Sequence, residues 1–192
     1  IIATTVGVMA ATVVARSTRG VGNWFDVVLM LPLGTSAVTI GFGFLVALDR
    51  PVDIRTSVLL IPLAHALVAV PFVVRTSVPI LRSIRPRLRE AAAVLGASPV
   101  RVWREVDLPI VARAVAVGAG FAAAISLGEF GATAFIARPD TITIPTLIFR
   151  LLGRPGAVTY SGAMALAVIL MVITTAVILA IDRARGGEVG RF

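Results

Sequence analysis

Residues 159–181, TYSGAMALAVILMVITTAVILAI, run without a single charged side chain. At 1.5 Å per residue, a helix of this length covers the roughly 30 Å hydrocarbon core of a bilayer. A soluble helix would carry a polar stripe along one side, and none is present here. The stretch therefore predicts a membrane span. Working outward from it, further apolar blocks at 1–15, 27–48, 57–74 and 113–135 alternate with short charged segments, which gives five predicted spans. The expected fold is an all-α polytopic membrane protein. Composition agrees, because 58% of the residues are hydrophobic and only 15% charged, a balance foreign to soluble domains. With no internal repeat or long linker visible, residues 1–192 read as a single transmembrane domain.

The cationic side chains are all arginine, and they supply the formal net charge of +8. In a soluble protein this would point to nucleic acid. Here the arginines flank apolar spans with few aromatics between them, so they are read as orientation signals, with no nucleic-acid partner. Placing segment 75–113 in the cytoplasm collects 13 of the 18 arginines on that side: Arg75 to Arg113, Arg16 and Arg19, and Arg183, Arg185 and Arg191. Arg50, Arg55, Arg138, Arg150 and Arg154 fall outside. The predicted C-terminus is cytoplasmic. Cysteine is absent and His65 is the single histidine, so neither disulfides nor a metal centre is expected in this chain.

Segment 75–112 is too long for a tight connection, yet it is patterned. Arg87 to Leu95 is a good helix former, Gly96 supplies a C-terminal stop, and Ser98-Pro99 reads as a cap followed by proline at the first helical position. A second short helix is expected from Pro99 to Asp107, ended by Leu108-Pro109. Small residues Ala91, Ala92 and Ala93 on a helix outside the membrane permit deep docking into a partner's groove, and Glu90 can pair there with a basic group.

The residues Glu90-Ala91-Ala92, Gly96 and Val106-Asp107-Leu108-Pro109 keep a fixed spacing: three residues, then nine. This resembles the EAA loop of type I ABC importer permeases, with Val106 at a position more often isoleucine. The resemblance implies that Glu90, Ala91, Ala92, Gly96, Leu108 and Pro109 form the coupling element for an ABC ATPase dimer on the cytoplasmic side. ATP and magnesium would be bound by that partner and no cofactor by this chain, which has no lysine and no phosphate-binding Gly-rich loop. It further implies a bacterial inner-membrane location, an extracytoplasmic substrate-binding protein, and a second permease core in the same chain or as a dimer. Because Ile1 to Ala15 is already apolar, an N-terminally truncated permease, or the C-terminal half of a longer one, is expected.

Further segments resemble the iron(III), thiamine, sulfate and molybdate permeases: Pro62 to His65, Pro71 to Arg75 and Ser126 to Thr133. Thr143 to Gly156 is most similar to the iron/thiamine branch. Iron(III) or thiamine is thus the expected cargo, with sulfate, molybdate or a polyamine as the alternative. Glu129, with Ser126 and Gly128 beside it, sits in the fourth predicted span, where a carboxylate faces either a substrate path or a watery interface. His65 is expected to bond a neighbouring helix. A proton-coupled secondary transporter using Glu129 and His65 is the rival reading, and it leaves the loop motif unexplained. Trp24 and Trp103 read as interfacial anchors, and Ile144 to Leu152 as an amphipathic helix on the outer surface.

Overall fold

A computed structural model describes residues 1–17, 19–48, 57–84 and 86–186, and these are helical or turn, with no strand among them. In chain order the helices are α1 (Ile2–Arg16), α2 (Arg19–Gly34), α3 (Ala37–Ala47), α4 (Leu60–Arg82), α5 (Pro86–Val94), α6 (Pro99–Val102), α7 (Leu108–Gly128), α8 (Thr133–Ile136), α9 (Ile144–Leu152) and α10 (Ala157–Gly186). A π-turn, Trp103–Asp107, joins α6 to α7, so Pro99–Gly128 forms one continuous rod.

Among the described residues, three helices are long and apolar enough to cross a bilayer: α4, the rod and α10. The pair α2–α3 supplies a fourth if counted as one span, but it is bent by 100°. The apolar helix α1 is shorter than a full span. The five expected spans are therefore three long helices, one broken pair and one short helix.

The departures have local causes. Expected span 27–48 breaks at Thr35 and Ser36, just after Pro32, whose missing N–H and bulky ring disrupt the turn around it. The Thr35 hydroxyl takes the Leu31 carbonyl at 3.0 Å, and Ser36 is extended. The helix expected to stop at Leu108-Pro109 runs on instead. Pro109 offers no N–H and its ring crowds the carbonyl four residues back, and the wider π-turn before it absorbs both effects. Expected span 57–74 continues to Arg82, with the Thr76 hydroxyl bonded back to the Phe72 carbonyl at 3.0 Å. Expected span 113–135 ends at Gly128, for a reason given below.

The helix α4 is central, packed against α1 on one side and α7 on the other, while α10 lies on α7 and α9. Bilayer helices gain little from the hydrophobic effect and depend on close approach of their backbones. Val73 shows how close. A methyl group on Gly7 would lie 2.6 Å from Val73 Cβ, and one on Gly118 would lie 2.9 Å from Val73 Cγ1. Ala3, Ala66, Ala69 and Ala122 complete this small-residue core. By contrast α10 turns Val168, Ile169, Met171 and Val172 outward, as a lipid-facing helix should.

The arginines are not scattered. Arg16, Arg82 and Arg89 border one cavity of about 400 Å³ with Trp103 and Asp107, so the ends of α1 and α4 and the start of the rod share one end of the molecule. Arg82 also donates to the Val14 carbonyl in the last turn of α1, at 3.4 Å. Arg50, Arg55, Arg85 and Arg191, which entered the orientation count, lie outside the described residues.

Candidate functional site

Two groups of residues stand out, one at each end of the rod. At the arginine-rich end, α5 and α6 form a hairpin. Gly96 has φ +80°, its N–H reaches the Ala93 carbonyl at 2.9 Å, and the Ala97 N–H reaches the Ala92 carbonyl at 3.0 Å. This is the Schellman ending, in which glycine adopts a left-handed conformation that side chains resist. Ser98 then caps the next helix, accepting from the Arg101 N–H at 3.4 Å, with Pro99 as its first residue.

Little of this hairpin is buried. Glu90 and Ala91 are exposed and Ala92 is half-buried. At the tip, Val94 is 88% and Leu95 87% exposed. A methyl group on Gly96 would meet nothing of this chain within 4 Å, so its backbone conformation, not internal crowding, demands glycine. Leu108 and Pro109 are partly exposed and open α7, where they shape the path of the rod.

One contact went unanticipated. Arg89 Nε donates to Asp107 Oδ1 at 2.8 Å, joining α5 to the last residue of the π-turn. Asp107 is buried at 8% exposure. The signal was available, since a base next to Glu90 and an acid before Leu108 lie at the bases of the two predicted arms.

At the other end of the rod the polar groups satisfy one another. The Glu129 carboxylate accepts from the Ala132 N–H at 2.8 Å and the Thr133 N–H at 3.0 Å, and also from the Thr133 hydroxyl. It thereby seeds α8 and ends α7 at Gly128. The Thr133 oxygen accepts from His65 Nε2 at 2.8 Å, so the neutral ring that fits these partners accepts at Nδ1 from the Ser126 hydroxyl, at 2.7 Å. His65 Nε2 lies 3.6 Å from Glu129 Oε2. Residues 65 and 129, whose relative depth the sequence left open, thus meet across α4 and the break after α7.

This corrects the placement of Glu129. It is the residue just beyond α7 and not one inside the helix, and its side chain is buried, at 6% exposure. A cavity of about 790 Å³ does open beside it, bordered by Thr5, Pro62, His65, Ala119 and Ser126 among others. Of the three substrate-path candidates, Ser126 borders this cavity, whereas Glu129 and Gly128 do not. His65 both ties the helices together and forms part of the cavity wall. Beyond the break, Phe130 packs on Phe149 of α9 with ring centroids 5.2 Å apart.

Residues 3–184 match the family described as "Binding-protein-dependent transport system inner membrane component". The putative 2-aminoethylphosphonate transport system permease protein PhnV of Salmonella paratyphi A is 29% identical over 178 residues, 92% of this chain and 66% of its own length. The molybdenum transport system permease protein ModB of Escherichia coli K12 is 33% identical, over 85% of this chain and 77% of its own. The probable sulfate transport system permease protein cysT of Anthoceros angustus is 31% identical over 65% of this chain and 43% of its own. None of these three is named for iron(III) or thiamine, the cargo expected from Thr143 to Gly156, whereas two are named for sulfate and molybdenum, which match the alternative. With nearly its whole length matched, the chain belongs to the family of inner membrane components of binding-protein-dependent transport systems.

Proposed function

We propose that this chain forms the membrane path of an ATP-driven importer for a small oxyanion or phosphonate. A soluble binding protein delivers the cargo from outside, and an ATPase dimer docks on the α5–α6 hairpin from the cytoplasm. The observation that carries this reading is the hairpin itself. A surface with exposed Glu90, Val94 and Leu95, and a glycine whose environment within the chain is empty, is built for contact with another protein. The arginine-rich end, which includes the hairpin, is the cytoplasmic one. The C-terminus then lies inside, and a second permease core completes the path. ATP and magnesium belong to the docked partner.

The cargo class rests on the relatives' names, 2-aminoethylphosphonate, molybdenum and sulfate, which share a tetrahedral oxyanion chemistry. The wall of the larger cavity is apolar apart from Thr4, Thr5, His65 and Ser126, so the path offers few groups to hold a cargo tightly. Selectivity then lies with the binding protein.

The test is uptake by the full-length permease reconstituted with its ATPase and binding protein. Labelled 2-aminoethylphosphonate, sulfate, molybdate, ferric iron and thiamine are compared. ATP-dependent uptake of one oxyanion is expected, abolished by Glu90→Lys together with Gly96→Trp. Uptake of iron or thiamine alone would overturn the cargo, and ATP-independent uptake would overturn the mechanism.

A further inference from the structure

We infer that Arg89 and Asp107 are positioning residues, an ionic staple that makes the hairpin and the membrane rod move as one body. The inference rests on the coupling role proposed above and adds how motion passes from the docking surface to the span.

The hairpin has no core of its own. Among the described residues, neither α5 nor α6 contributes a buried hydrophobic side chain, and Leu88, Val94, Leu95 and Val100 are exposed. Apolar packing therefore does little to fix its angle to the rod. The chain connecting them passes through the π-turn Trp103–Asp107, where the helical hydrogen-bond ladder is widened and a bend is easiest. A force applied at the hairpin tip would be absorbed there unless something bridged the turn.

The Arg89–Asp107 pair bridges it. It joins residues 18 apart in sequence, at the bases of the two arms, with Nε to Oδ1 at 2.8 Å. Asp107 is the last residue of the π-turn and sits directly before α7. Its side chain is 11% exposed, so its charge is largely shielded from water, and the Arg89 guanidinium lies within hydrogen-bonding distance of it. The outer pair Arg101–Glu105, 2.9 Å long, is exposed and lies within one arm, so it cannot do the same. Beyond Asp107 the rod continues unbroken to Gly128, about 30 Å at 1.5 Å per residue. It ends where Ser126 meets His65 of α4, at the wall of the larger cavity. Displacement of the stapled hairpin is thus delivered to the cavity.

The experiment uses the full-length permease assembled with its ATPase and binding protein. Arg89→Gln and Asp107→Asn are each expected to keep ATPase association but to lose transport, and stimulation of ATP hydrolysis by loaded binding protein, by about tenfold or more. The exchange Arg89→Asp with Asp107→Arg is expected to restore most of both. On a cysteine-free background, spin labels at Val94→Cys and Ala116→Cys report the hairpin–rod distance directly. A narrow distribution in the parent should broaden in Asp107→Asn and narrow again in the exchange. Should Asp107→Asn fail to assemble, Arg89→Lys, which keeps the charge but loses the planar fork, is expected to assemble with an intermediate loss. Wild-type coupling in both single variants, or an unbroadened distance in Asp107→Asn or Arg89→Gln, overturns the staple. Glu90→Lys runs alongside: if it uncouples while the staple variants do not, the staple alone falls, and if neither uncouples, the coupling role itself is wrong.

Discussion

The rod Pro99–Gly128 ends in two opposite kinds of polar chemistry. At the hairpin, Glu90 and Gly96 are exposed, and a methyl group on Gly96 would meet nothing of its own chain within 4 Å. At the far end, Ser126, Glu129, Thr133 and His65 close a chain of hydrogen bonds from 2.7 to 3.0 Å, buried or nearly so. Unsatisfied, exposed groups are stable in a membrane protein only where water or a partner meets them. Satisfied, buried ones hold a fold together. One end is therefore open to contact from outside the chain, and the other is closed on itself.

The largest expected effect lies at the hairpin. Gly96→Val forces a β-branched residue to φ +80°, a strain of roughly 1–2 kcal/mol that shifts the tip, and transport should fall about tenfold or more. Gly96→Asn separates backbone from partner, because asparagine tolerates the left-handed conformation and its side chain meets nothing within this chain. If Gly96→Asn still loses ATPase association in a pull-down, the glycine is required by the partner's surface. If it behaves as wild type, conformation alone explains the residue. Both variants should leave the thermal unfolding of the membrane core unchanged.

The far end reverses this pattern. Glu129→Leu leaves the Ala132 and Thr133 N–H groups and the Thr133 hydroxyl without an acceptor, at about 1–3 kcal/mol for each buried group. A clear drop in the unfolding temperature of the purified permease is expected, with loss of transport secondary to it. Glu129→Gln keeps one carbonyl acceptor and should lose less. An unchanged unfolding temperature in Glu129→Leu, with transport abolished, would make the carboxylate a participant in transport and dissolve the contrast between the two ends.

The contrast also explains what could be read from the sequence. Glu90, Gly96 and Pro109 stand at the fixed spacing that the proposed docking role would require, and the Gly96 stop and the Ser98-Pro99 cap are local chemistry, visible over a few residues. Helix α9 was legible over its whole length, Ile144–Leu152, for the same reason. The meeting of His65 with Ser126 and Thr133 spans 61 and 68 residues and depends on how α4 packs against α7, which no local pattern encodes. The break at Glu129 was hidden too. An apolar stretch continues through it, and only the carboxylate folding back onto Ala132 and Thr133 ends the helix. Likewise the π-turn that lets Pro109 sit inside a continuous rod cannot be told from a helix end by composition.

The smallest expected effect is the most discriminating. Ser126 is the one residue that belongs both to the hydrogen-bonded group and to the wall of the larger cavity, apart from His65 itself. Replacing it with alanine removes the donor to His65 Nδ1, but that nitrogen borders an open cavity where water can take the serine's place, so the stability change should stay near the 0.5–1.5 kcal/mol of an ordinary hydrogen bond. If Ser126 serves only to tie α7 to α4, uptake by Ser126→Ala should keep its wild-type KM and Vmax, within error, alongside a small fall in unfolding temperature. If the cargo passes this wall, Ser126→Ala should shift the transport rate at saturating loaded binding protein, whereas Ser126→Thr, which keeps the hydroxyl, should not. Binding of cargo to the binding protein is measured separately and must be equal in all cases. A rate change in alanine that threonine rescues would place the substrate path along His65 and Ser126, and identical rates in all three would make this end of the rod a fastening and nothing more.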